Sequence, residues 1–348
     1  PSHKERTVSR RLIVSTIAVA SLAFAACQQQ ARQQTLNGSG ATFQKPYQEA
    51  AIERFTALHR NITINYSGGG SGKGRQDLAD MVVDFAGSDS PFKEADLAGN
   101  KGGEVLYFPI LLGPVAVCFN LEGVASLQLS AGTIARIFQR DVTLWNDPAI
   151  AADNPDLTLP AAGIVVVHRS DGSGTTDNFT KFLVSAAPEV WRLQSGSTVE
   201  WPAETQAGAG NSGIAQIVRA TAGAVGYVDL SDAKASGLPY ARVKNQAGNY
   251  VEPTVSSASA AGDGIEVNDD LTFSAVNAGG PGSYPITGQS WVIVYANQAD
   301  QAKAAAIQAY VRFLVGDGQE LLPELDFAPL PPGLQAKALA QVDRIRTS

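Results

Sequence analysis

Short apolar runs and amphipathic stretches alternate along most of this chain. Residues 62–66 alternate apolar and polar positions and are rich in β-branched side chains, the pattern of a half-buried strand. Residues 82–86, 105–120, 163–167, 224–228 and 290–295 read as further strands, several of them apolar throughout and therefore covered on both faces. Between them, apolar positions recur at helical spacing: Ile52, Phe55 and Leu58 within 43–58, Leu78, Met81 and Val82 within 75–82, Phe179, Phe182 and Leu183 after Thr175, and a fourth series over 302–315. Strands that alternate with helices predict an α/β fold with mostly parallel sheets.

The apolar segment 105–120 is longer than one strand usually needs, and Gly113-Pro114 interrupts it. It is expected to cross between two domains, in keeping with a chain larger than one core usually holds. Residues 254–283, rich in Ser, Ala and Gly, read as a surface excursion, with 271–276 as a short strand or helix turn. There is no internal repeat.

The first residues have another character. Lys4, Arg6, Arg10 and Arg11 precede an apolar run over 12–26, too short for a comfortable membrane span and typical of a secretory leader. Ala25 and Ala26 directly before Cys27 resemble a bacterial lipobox. That resemblance implies a signal peptide over 1–26, cleavage before Cys27 and a lipid on its thiol; an ordinary signal cut near Ala26 is the alternative. Residues 27–35 are polar and suit a flexible tether. Removing 1–26 takes the formal net charge from −7 to −10. So acidic a surface argues against nucleic acid and against a broad basic membrane patch, but not against an anionic ligand held by local hydrogen bonds. With Cys27 lipidated only Cys118 remains, inside an apolar run where a buried, inert thiol is expected, so no disulfide staples the chain.

Three glycine- and hydroxyl-rich loops each run into a helical pattern: 38–42, 68–74 and 171–176. Glycine lets the backbone approach a ligand, and a helix start offers unpaired N–H groups with partial positive charge. The second loop nearly spells a nucleotide-binding P-loop but has Ser67 where the first glycine belongs and Gly74 where Ser or Thr belongs. Phe43 and Arg75 break the dinucleotide pattern, and no serine sits in G-x-S-x-G. Beyond the leader only His59 and His168 occur, at no metal-ligand spacing, which argues against histidine-dependent hydrolysis and zinc chemistry. Carboxylate catalysis is harder to exclude, but nothing marks a pair, and no catalytic residue, metal or cofactor is expected.

Binding remains. Thr42, Ser71, Ser173 and Thr175 place hydroxyls beside helix starts, where each reads either as a plain cap or as a donor to an anion. Arg169 at a strand end can fork onto two ligand oxygens while Asp171 holds it. Asp89 reads first as a turn residue before Pro91. Facing an anion it would instead repel any ligand that has no proton to donate, and so prefer hydrogen phosphate to sulfate.

Together these residues resemble the phosphate-binding proteins that serve bacterial ABC phosphate transporters. The likeness lies in Leu36-Asn37-Gly38-Ser39-Gly40-Ala41-Thr42-Phe43, in Ile64-Asn65-Tyr66 with the loop after it, in Val83-Asp84-Phe85-Ala86-Gly87-Ser88-Asp89 and in Arg169-Ser170-Asp171-Gly172-Ser173-Gly174-Thr175. It continues in Gly223–Val228, Tyr284–Gly288 and Leu325–Pro331, in the same order over nearly the whole chain after the leader. The resemblance implies ligand contacts from Thr42, Phe43 through its backbone N–H, Ser71, Asp89, Arg169, Ser173, Gly174 and Thr175, with Asp171 as partner of Arg169. It implies an α/β, two-lobed type II periplasmic-binding-protein fold, each lobe a mixed sheet flanked by helices, joined by two crossing strands, with the ligand between the lobes. One lobe is expected from 36–115 and 232–348, the other from 116–231. Gln44 stands where the family often has proline, and Lys73 is expected to point into solvent. The implied protein is not an enzyme: it is an extracytoplasmic, lipid-anchored monomer that captures inorganic phosphate for an ABC permease. A binder of a sulfate-like oxyanion is the near alternative, and a secreted phosphomonoesterase the distant one.

Overall fold

The computed structural model describes residues 33–97 and 99–347. The expected signal peptide, Cys27 and most of the 27–35 tether lie outside the described residues. In chain order the strands are β1 (Gln34–Gly40), β2 (Ile62–Gly68), β3 (Phe85–Ser88), β4 (Val105–Phe119), β5 (Gln128–Leu129), β6 (Val165–Arg169) and β7 (Gln206–Gly208). They continue with β8 (Ala224–Asp229), β9 (Arg242–Lys244), β10 (Tyr250–Val251), β11 (Thr287–Tyr295), β12 (Asn297–Gln298) and β13 (Arg346–Thr347). The helices that matter for the site and its support are α1 (Lys45–Leu58), α2 (Ser71–Ala79), α3 (Gly174–Ala186), α4 (Gly210–Ala220) and α5 (Gln301–Val315).

Eight strands form one long sheet in the order β2-β1-β3-β11-β4-β8-β6-β7, while β10, β9 and β5 form a smaller one. The fold class is α/β, and the large sheet is mixed. Parallel pairs at each end (β1 with β2 and β3, β6 with β7 and β8) are joined by antiparallel pairs around β11 and β4.

The segment 105–120 is a single strand, and its length has a reason. Residues 105–114 of β4 pair with β11 on one edge, and 115–119 pair with β8 on the other. Pro114 sits at the change of partner, where its missing N–H costs least. β4 thus belongs to both halves of the sheet and is buried along nearly its whole length.

Several expected boundaries move. β1 already begins at Gln34 and takes in the last two residues of the tether reading, because Gln34 and Thr35 pair with Ile62 and Thr63. β3 starts at Phe85 rather than 82: Met81 turns the chain with φ of 61° and Val82 is exposed. α2 starts at Ser71, inside what reads as loop, and ends at Ala79. Its glycines fit the helix tightly against the sheet, since a Cβ on Gly74 would meet the Gly40 Cα at 2.7 Å. The 254–283 stretch is no surface excursion. It contains a helix (Val255–Gly262), and Leu271 and Phe273 are buried over Trp291, whose Nε1 donates to the Leu271 carbonyl at 3.0 Å. Residues 271–276 form neither strand nor helix.

The parallel strands β1, β2 and β3 end side by side at Gly40, Gly68 and Ser88, and β6 and β7 end at Arg169 and Gly208. Residues just past strand C-termini line the crevice where open α/β sheets take ligands.

Candidate functional site

The loops after these strands meet. The Gly72 N–H donates to the Gly172 carbonyl at 2.8 Å, so the second and third glycine loops touch directly. Thr42 Oγ1 accepts from the Asn211 backbone N–H at 3.2 Å and from its Nδ2 at 3.3 Å. Asn211 Oδ1 in turn accepts from Arg169 Nη1 at 3.2 Å, and Thr175 Oγ1 faces the same nitrogen at 3.4 Å. On the other side Ser71 Oγ donates to Asp89 Oδ2 at 3.2 Å and accepts from the Asp89 N–H at 3.1 Å. Asn178 ties the two sides, donating to the carbonyls of Asp89 and Gly174 at 3.1 Å each.

Ser173 is the N-cap of α3, its Oγ accepting from the Thr176 N–H at 3.1 Å. Capping occupies an oxygen lone pair and leaves the hydroxyl hydrogen to donate, so the two readings of this serine are compatible. The N–H groups of Gly174 and Thr175 lie in the first turn, where a helix has no internal partners for them. Ser71 sits one place further along at the start of α2, as its first residue, directly after the N-cap Gly70. The ring of Phe43 is buried and packs on Phe327, centroids 5.6 Å apart, so the backbone N–H is the only donor this residue has to offer.

Arg169 is held as a fork. Nε and Nη2 donate to the two oxygens of Asp171 at 2.8 and 2.5 Å, and Asp171 also accepts from the Gly210 N–H at 3.0 Å. Burial pushes the Asp171 carboxyl up, but the hydrogen bonds and charge of Arg169 outweigh it and hold the group below its ordinary range. Arg169 and Asp171 neutralise each other, so attraction for an anion rests largely on N–H and hydroxyl dipoles aimed inward.

Asp89 is the exception among these donors. It is 1 % exposed and accepts from Ser290 Oγ at 2.5 Å. Burial pushes its carboxyl up to about 6, against the pull of Ser290, Arg169, Ser71 and Arg75. Arg75 is itself buried and donates to Ser88 and Ser90 on either side of Asp89. Lys73 stays outside this ring, paired with Asp77 at 2.7 Å on the exposed face of α2.

The structure therefore brings Thr42, Phe43, Ser71, Asp89, Arg169, Ser173, Gly174 and Thr175 to one place, with Asp171 behind Arg169. Sequence reading missed Asn211, Ser290, Asn178 and Arg75. Asn211 had a signal, because Gly208-Ala209-Gly210-Asn211-Ser212-Gly213 is a fourth glycine- and hydroxyl-rich helix start. Ser290 had none. Chemically, the arrangement can surround a small oxyanion with donors and offer it one acceptor.

Residues 25–318 match the family model of the PBP superfamily domain. The chain is 34 % identical over 315 residues to the phosphate-binding protein PstS of Xylella fastidiosa, covering 88 % of this chain and 84 % of that protein. It is 33 % identical over 322 residues to the phosphate-binding protein PstS3 of Mycobacterium bovis, covering 89 % and 86 %. Among solved structures, that of a high-affinity periplasmic phosphate-binding protein (PfluDING) bound with phosphate has a TM-score of 0.73. It covers 88 % of this chain and 93 % of that one at 24 % identity, a likeness of fold.

Proposed function

The chain belongs to the phosphate-binding proteins of the PBP superfamily, and we propose that it captures inorganic phosphate between two lobes and delivers it to an ABC-type importer. Thr42, the Phe43 N–H, Ser71, Arg169, Ser173, and the N–H groups of Gly174 and Thr175 donate to the phosphate oxygens. Asp89 accepts the proton of hydrogen phosphate. The observation that carries this reading is a buried carboxylate set among donors, 2.5 Å from the Ser290 hydroxyl and close against the start of α3. A ligand oxygen without a proton would face an unpaired buried acceptor there, a mismatch worth several orders of magnitude in affinity.

The lobes in this account are 36–115 with 232–348, and 116–231, and the small sheet that pairs β5 with β9 lies across that division. The protein works outside the cytoplasmic membrane as a monomer tethered by a lipid on Cys27. It is a receptor rather than an enzyme. Equilibrium dialysis with labelled phosphate tests the capture, and incubation of metal-replete protein with a chromogenic phosphate ester tests the absence of hydrolysis. Retention of phosphate with no ester cleavage is expected; cleavage, or no retention, overturns the proposal.

A further inference from the structure

Behind Asp89 a chain of buried polar side chains runs away from the cage into the core. Ser290 Oγ, which lies 2.5 Å from Asp89 Oδ1, accepts from Gln44 Nε2 at 2.7 Å. Gln44 Oε1 accepts from Gln48 Nε2 at 2.7 Å, and Gln48 Oε1 accepts from the Tyr310 hydroxyl at 2.6 Å. Gln44, Gln48 and Ser290 are 0 % exposed and Tyr310 1 %.

The direction of this chain is fixed. Gln44 Nε2 also lies 3.0 Å from the Trp291 carbonyl, which can only accept, so the atom facing it is nitrogen and the amide cannot be flipped. The Gln44 oxygen then faces Gln48 and needs a donor, which orients Gln48 in the same sense and makes Tyr310 the first donor. Every proton points towards Asp89. With a Gln44 N–H on its oxygen, Ser290 has one hydrogen to give, and the near acceptor is Asp89 Oδ1 rather than the Ser88 carbonyl at 3.4 Å. The register shift of β11 against β4 between Ser290 and Trp291 places this serine beside Asp89, as bulges near functional sites often do.

We propose that Gln44 is a positioning residue for Asp89: through Ser290 it holds the carboxylate as an acceptor and so sets which protonation state of the anion the cage takes. The proposal rests on the phosphate reading and deepens it. Around the carboxylate the charged groups are Arg169 from β6 and Arg75 from α2, with the Tyr66 hydroxyl the nearest titratable group on β2. Both arginines also favour the charged form without donating to Asp89; Ser71 Oγ donates to Oδ2 at 3.2 Å, and Ser290 Oγ donates to Oδ1 at 2.5 Å with the larger effect. A protonated Asp89 becomes a donor and accommodates sulfate, because the acid with sulfate carries the same proton count as the carboxylate with hydrogen phosphate. Weakening the Gln44 chain therefore opens the site to sulfate at higher pH while leaving phosphate bound.

The test titrates wild type, Gln44→Met and Ser290→Ala with phosphate and with sulfate between pH 5 and pH 8. In wild type, sulfate affinity is expected to rise as pH falls. In both variants the rise starts about one pH unit higher, and the phosphate-to-sulfate ratio at pH 7 falls about tenfold. Equal weakening of both anions with the sulfate onset unmoved, or no change at all, overturns the proposal. Ser290→Ala removes one hydroxyl from the end of the chain and decides the matter if Gln44→Met fails to fold. Failure of wild type to bind phosphate is a separate outcome that overturns the functional reading instead.

Discussion

Gly174 and Asp89 stand against each other across the crevice: a Cβ built on Gly174 would lie 2.6 Å from the Asp89 Cβ and 2.4 Å from Ser71 Oγ. The start of α3 and the end of β3 are therefore pressed together where the anion would sit, and any side chain at 174 holds them apart. That contact joins the two halves of the sheet at the site itself.

Gly174→Ala is expected to lower phosphate affinity roughly 10- to 100-fold while the unliganded protein keeps its fold, since the added methyl overpacks only the closed crevice. Calorimetric titration beside a thermal melt checks it. Unchanged affinity would mean that the two sides do not close on the ligand as drawn.

Asn211 links the sides at the other end, through Thr42 Oγ1 and Arg169 Nη1. Asn211→Ala leaves a donor of Arg169 without its partner, and a lost hydrogen bond to a charged group costs about 1.5–3 kcal/mol. The expected result is at least about tenfold weaker binding, appearing mainly as faster phosphate release in stopped-flow measurements. A variant that releases phosphate at the wild-type rate would remove Asn211 from the site.

Asp89 links stability to pH. Its folded pKa of about 6 lies above its ordinary value. Between about pH 4 and pH 6 the folded state therefore binds more protons than the unfolded one, and this group's contribution to stability falls as pH rises through that window. Asp89→Asn removes the burden: the ligand-free variant is expected to gain about 1–3 kcal/mol over wild type at pH 7 and nothing below about pH 4. Melts of both proteins at the two pH values check this. A gain at pH 4 equal to that at pH 7 would show that the carboxylate is not the source.

Much of this was legible in the chain, for identifiable reasons. The three glycine loops converge because β1, β2 and β3 are parallel, so the segments that follow them leave from one edge, and β6 delivers the third loop opposite. Loop and helix were confused at Ser71 because Gly72 and Gly74 read as loop residues, whereas they are what lets α2 lie close on β1. Asn211 lies in a helix start of the same composition as the other loops. Ser290 was invisible. It lies 201 residues from Asp89 along the chain and arrives through the antiparallel pairing of β11 with β3, in which Trp291 stands opposite Ser88. Nothing local to a serine in an apolar strand indicates such a partner. The 254–283 stretch misled for a related reason: its small residues looked solvent-facing, yet it covers Trp291.

The most direct test of the whole account is calorimetric titration of wild type and Asp89→Asn with phosphate and with sulfate at pH 7.5. Wild type is expected to bind phosphate tightly and sulfate little, with the preference reduced on the order of a hundredfold in Asp89→Asn. Tight sulfate binding by wild type, or the same preference in both proteins, would contradict it.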